Sequence, residues 1–186
     1  MADLKVNAVI GVDPGASGGI AVYVPGANVK TMRMPKDLAA LGDFFKYYRE
    51  NYAPIVFLEK LSLRPDDVSA QGNRLGKLFR VQKMMANYEH LKALIEVSGI
   101  PYVLTHPLTW QTRLKLRERG EHIDKAERKR NYKYVASKWY PGVQVTLWNA
   151  DALLLMHFGR YALVNEPKWV KANLPKGVKA SIFNNG

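Results

Sequence analysis

Apolar and β-branched residues run almost unbroken through KVNAVIGVD (5–13), which predicts a buried strand. GIAVYV (19–24) predicts a second, and a PGAN turn then sends the chain back into a third, VKTMRM (29–34), antiparallel to it. The period then changes. Leu38, Leu41, Phe44, Phe45, Tyr48 and Tyr52 recur at helical spacing until Pro54. PIVFLE (54–59) is a short apolar strand ending on an acid, followed by a polar loop over 60–73. The longest predicted helix covers 74–97, with a stripe of Leu75, Leu78, Phe79, Met85, Tyr88, Leu91, Leu94 and Ile95 closed by Gly99 and Pro101. YVLTH (102–106) is a fifth strand, and PLTWQTRL starts a short helix or turn. Asp124 and Glu127 have capping-box spacing for a helix over 125–139 that Pro141 stops. VQVTL (143–147) is ambiguous. NADALLLMHFGRY (149–161) is apolar nearly all round, so it predicts a buried helix.

Three antiparallel strands followed by strands alternating with helices predict an α/β domain with a mixed five-stranded sheet and helices on both faces. The domain is expected over 1–163, with 164–186 a basic arm carrying Lys168, Lys171, Lys176 and Lys179. A chain of 186 residues buries roughly two-thirds of its unfolded surface, enough for a core. Lys and Arg number 28 against 16 Asp and Glu, a net charge of +12 that points to a polyanionic partner. No cysteine is present, which excludes disulfides and zinc–thiolate sites and fits a reducing cytosol. No run of 18 apolar residues and no secretory segment are seen, so no membrane partner and a cytoplasmic location are expected.

Three acids interrupt the apolar elements. Asp13 ends the first strand amid Gly11, Gly15, Gly18 and Gly19; Glu59 ends the fourth; Asp151 sits in the first turn of the last helix. Isolated carboxylates are costly to bury, so a cation is expected to gather them. A structural Lys or Arg satisfies one acid; a hard divalent ion, Mg²⁺ with Mn²⁺ able to substitute, satisfies three. Such ions serve phosphoryl displacement, and the glycines then let a phosphate backbone approach.

IGVDPGASGGIAVY, FLEK, THPLTW, DKAERKR and ADALLL, in this order over roughly residues 7–162, resemble phage and prophage members of the RuvC-type Holliday-junction resolvases, within the RNase H-like superfamily. The resemblance implies an RNase H-like fold, a homodimer, Mg²⁺-dependent nicking of four-way DNA junctions in a bacterial host cell, and Asp13, Glu59 and Asp151 as catalytic metal ligands. The family usually carries another acid or a histidine shortly before the last aspartate. Here Thr146, Leu147, Trp148 and Asn149 stand there, and Asn149 is either a neutral metal ligand or a helix N-cap. His157 lies six residues past Asp151, well off its helix face. His106 reads as a core or loop residue and His122 as a surface one.

From Arg113 to Lys138 ten cations face four acids. A solvated helix face is one reading; a phosphate-binding wall is the one the resemblance favours. Lys125 matches the family lysine near the scissile phosphate, and Lys115, Arg117, Arg128, Lys129 and Lys133 join Lys60, Arg64 and Arg74 as expected DNA contacts. Leu61, Leu63 or Arg64 stands where an aromatic wedge is found in related resolvases. The surplus apolar face of 74–97 is expected to pair two copies about a two-fold axis. Two alternatives stay open: an RNase H-like nuclease acting on flaps, branched DNA or RNA–DNA hybrids, and a non-catalytic junction-binding protein.

Overall fold

Five of the apolar segments pair into one mixed sheet of order β3-β2-β1-β4-β5. In the computed structural model, which describes residues 6–15, 17–61, 74–118, 120–121 and 123–175 (without the side chains of Arg74, Leu75 and Lys77), these are β1 (Ala8–Asp13), β2 (Gly19–Tyr23), β3 (Lys30–Arg33), β4 (Pro54–Glu59) and β5 (Tyr102–Thr105). β1–β2 and β2–β3 are antiparallel; β1–β4 and β4–β5 are parallel. The helices are α1 (Leu38–Asn51), α2 (Arg74–Val97), α3 (Pro107–Arg113), α4 (Lys125–Trp139), α5 (Ala150–Asn165) and α6 (Pro167–Ala172).

The two-residue period of the strands sorts their side chains into two cores. Ile10, Val12, Val56, Leu58 and Tyr102 join α1 and the C-terminal half of α2, through Phe45, Tyr48, Tyr88, Leu91 and Ile95. Val9, Ile55, Phe57 and Val103 face the other way, onto Trp110 of α3, Tyr132 and Ala136 of α4, and most of α5. Helix α5 is buried along nearly its whole length, as its all-round apolarity predicts. It lies so close to the sheet that a Cβ on Gly11 would sit 2.4 Å from the Ala152 carbonyl oxygen and the Met156 nitrogen. Gly11 is therefore a packing glycine.

Helix starts follow local chemistry. The Asp37 side chain accepts from Ala39 N–H at 3.0 Å, and Asp124 Oδ2 accepts from Ala126 and Glu127 N–H at 2.7 and 3.1 Å. Three segments complete the description. VQVTL forms no strand; it is an irregular loop with Val145 buried. The boundary at 163 falls inside α5, which runs to Asn165. The start of the expected arm packs back as α6: Val170 is fully buried, Trp169 meets Phe158 edge to face, and Glu166 pairs with Arg113 at 3.1 Å. Residues 176–186 lie outside the described residues. Among the described residues no helix is long and apolar enough to cross a membrane.

Candidate active site

Strand register brings the first two acids together. Gly11 pairs with Phe57 and Val12 with Leu58 across the parallel β1–β4 ladder, and Asp13 and Glu59 are the next residue on each strand. Both share the parity of Val9, Ile55 and Phe57, so both point to the face that α5 covers. Asp151, in the first turn of α5, is 8 % exposed and meets them there. The three carboxylates thus lie at one end of the sheet, within electrostatic reach of one another.

Each carboxylate has one oxygen engaged by the protein. Asp13 Oδ1 accepts from Gly15 N–H at 3.1 Å. Glu59 Oε2 accepts from the Trp110 indole N–H at 3.0 Å. Asp151 Oδ2 accepts from Lys129 Nζ at 2.6 Å. Among the described residues Asp151 Oδ1 is buried with no hydrogen-bond partner. The Tyr132 hydroxyl, one helical turn after Lys129 and beside Trp110, is likewise buried and unpartnered.

The electrostatics follow. Burial, then the charges of Asp13 and Asp151, push the Glu59 carboxyl up to about 8, against the opposing pull of Trp110 and Lys129. Burial also raises Asp151, although Lys129 holds it down in part. For Lys129, burial works against the charge, but the carboxylates of Asp151, Asp13 and Glu59 outweigh it and hold the ammonium above its usual range.

Among the described residues no group of three or more His, Cys, Asp or Glu side chains stands close enough together, as placed, to hold a metal ion. Like charges with no ion between them repel. The donor set nevertheless suits a hard divalent cation: three carboxylates each offer a second oxygen, and Asp151 Oδ1 is a buried acceptor left without a donor, a costly arrangement unless a cation satisfies it.

The other expected site residues divide. Asn149 is fully buried; its Oδ1 accepts from Thr146 N–H and Oγ1 at 2.7 and 3.2 Å, and its Nδ2 donates to the Gln144 carbonyl and Thr31 Oγ1. It stands at the N-cap position of α5, its carbonyl accepting from Leu153 N–H at 2.9 Å, but its side chain makes no cap bond and instead closes the loop before the helix. Its hydrogen-bonding capacity is filled by that loop and by Thr31 of β3. Lys125 is exposed at the start of α4, whereas Lys129, one turn later and expected in the DNA wall, reaches the acids. Arg128 is half-buried and helps hold Asp151 down. Arg117 donates to the Glu121 carbonyl at 2.6 and 3.2 Å. Lys60, Lys115 and Lys133 are exposed. Leu61 packs against the α1–α2 core. Leu63, Arg64 and His122 and the Arg74 side chain lie outside the described parts. His106 caps α3 by accepting from Leu108 N–H, and His157 stacks on Trp139 and shares a hydrogen bond with Tyr140.

The glycines around Asp13 also divide. A Cβ on Gly18 would lie 2.3 Å from the Asp13 carbonyl oxygen and 2.8 Å from its Cγ, so Gly18 leaves room for the carboxylate itself. Gly19 lies under the Trp148 ring. Gly15 has no such crowding: a Cβ there meets only Asp13 Oδ1, at 3.4 Å, and Gly18 N, at 3.7 Å. Trp110, Tyr132 and the proximity of Lys129 to the acids were missed from sequence. The four-residue step from Lys125 to Lys129 was the available signal, since both lie on one helix face.

No family model matches the chain, and no curated protein does at the level of sequence. Solved structures do match by fold. A Thermus thermophilus RuvC in complex with a Holliday junction substrate superposes with a TM-score of 0.51 at 13 % identity, covering 84 % of this chain and 94 % of that one. A second Thermus thermophilus RuvC structure gives 0.50 at 15 % identity, covering 84 % and 95 %. The mixed five-stranded sheet, its helical layers and this likeness together show an RNase H-like α/β fold of the RuvC kind.

Proposed function

We propose that the chain is a structure-selective endonuclease that resolves four-way (Holliday) DNA junctions by paired, metal-dependent nicks. The observation that carries this reading is the convergence of Asp13, Glu59 and Asp151 at one end of a sheet whose fold is shared with a RuvC bound to a junction. The net charge of +12 suits a nucleic-acid partner.

Asp13, Glu59 and Asp151 are the proposed ligands of Mg²⁺, for which Mn²⁺ can substitute. When bound, such an ion supplies Lewis acidity to the phosphate and a more acidic water. The chain's residues do the rest. Gly15 N–H and Trp110 fix the orientation of Asp13 and Glu59, and Lys129 favours the ionised form of Asp151 against its burial. Lys125, Lys115, Lys60 and Lys133 are free to meet phosphates, which positions DNA without reading its sequence. In the hydrolysis proposed, a water oxygen joins phosphorus and the 3′ oxygen leaves with a proton, giving 5′-phosphate and 3′-hydroxyl ends. The exposed Leu78 and Phe79 of α2, the latter 68 % exposed, support a homodimer through that helix. A bacterial, phage-infected cytoplasm is the proposed setting.

The ion pair between Lys129 and Asp151 favours one other reading, a non-catalytic junction binder. Labelled four-way junction, flap, RNA–DNA hybrid and linear duplex, each with Mg²⁺ and with EDTA, separate the possibilities. Symmetric metal-dependent nicks confined to the junction are expected. Equal cutting of flap or hybrid shifts the assignment to another RNase H-like nuclease, and binding without cleavage to the binder.

A further inference from the structure

We infer that this site takes a single divalent cation and that the Lys129 ammonium holds the place of a second. The inference rests on the metal-dependent reading above. A two-ion clamp sets its ions about 3.5–4 Å apart and needs carboxylate oxygens enough for both. Here the three acids have one oxygen each already engaged, by Gly15, Trp110 and Lys129. Among the described residues the other three oxygens have no protein donor, and Asp151 Oδ1 is buried. With water, the three carboxylates serve one octahedral ion, while Lys129 Nζ stands at 2.6 Å on the Asp151 oxygen that a second ion would share.

The loop before α5 offers no substitute ligand. Thr146 and Asn149 bond each other, Leu147 is an exposed hydrophobe, and the Trp148 ring lies over Gly19 with the Arg33 guanidinium above it. Charge agrees with this reading. Three carboxylates, one ammonium and one divalent ion sum to neutrality, whereas a second ion would leave two uncompensated positive charges in a largely buried site. Lys129 is anchored for this place: it stands on the same inward face of α4 as Tyr132 and Ala136, both buried. Lys129 is thus a positioning and charge-compensating residue.

The test is a Mn²⁺ titration followed by electron paramagnetic resonance, on the full chain alone and on a four-way junction. One uncoupled Mn²⁺ per chain is expected, lost in Asp13→Asn. Lys129→Gln, which removes a like charge beside the ion, should bind Mn²⁺ about tenfold more tightly. A spin-coupled Mn²⁺ pair in the wild type overturns the inference while leaving the nuclease reading intact. So does an unchanged affinity in Lys129→Gln. Absence of any site sensitive to Asp13→Asn overturns the metal-dependent reading and the inference with it. The wild-type count decides even where the variant fails to fold.

Discussion

Glu59 is held by an indole N–H on one side and pressed by two carboxylates on the other, and its carboxyl is pushed up to about 8. The folded, ion-free protein therefore keeps a proton that the unfolded chain releases. Stability is greatest below the ordinary carboxylate range, falls as pH rises toward about 8, and is level above it. Denaturant midpoints near pH 5, 7 and 9 should decline for the wild type relative to Glu59→Gln; parallel behaviour would contradict this. A divalent ion must displace that proton, so Mn²⁺ affinity should climb over the same interval, by up to about tenfold per pH unit. The identities of Asp13, Glu59 and Asp151 were legible in sequence because each is a carboxylate stranded in an apolar element. The donors that hold them were not. Trp110 reads as a core aromatic and Lys129 as one cation in a basic run, and only the packing of α3 and α4 aims them at the acids.

At the scale of elements, short apolar runs predicted five strands, a helical stripe the bounds of α2, and a capping box with Pro141 those of α4. The 143–147 segment stayed ambiguous because Val143 and Val145 alternate like a strand, yet they pack into the core beside α5 while Asn149 ties the loop down. The crossing of α5 over β1 depends on Gly11. Gly11→Ala should cost about 3 kcal/mol by chemical denaturation, since both opposing atoms are backbone and cannot swing aside. A loss under about 1 kcal/mol would mean that the helix stands further off. Helix α3 ends with Lys115 at φ 55°, where Lys115 N–H reaches the Thr112 carbonyl and Leu116 N–H the Gln111 carbonyl. That is a helix stop which glycine usually makes. Lys115→Gly should therefore stabilise the fold by about 1 kcal/mol while weakening junction binding, if the lysine meets a phosphate. Stabilisation with unchanged affinity and salt slope would remove Lys115 from the DNA wall.

For the whole molecule, the order of the apolar segments was enough to predict a mixed five-stranded α/β sheet. Where the domain ends was not legible there, because α6 is anchored by Trp169, Val170 and an Arg113–Glu166 pair whose partners are far away in sequence. Two-fold assembly is a property of this scale. Phe79→Arg on the exposed part of α2 should shift a dimer to monomer in sedimentation equilibrium without loss of helicity. An unchanged mass would place the interface elsewhere. The central claim is that three carboxylates gathered at one end of the sheet serve metal-dependent cutting of DNA at a junction. Asp13→Asn is the most direct probe, because the amide keeps an oxygen for Gly15 N–H and removes only the charge. On a four-way junction in Mg²⁺, the account predicts binding equal to wild type and no nicks. A variant that nicks at the wild-type rate, or wild-type nicking that persists in EDTA, would contradict it.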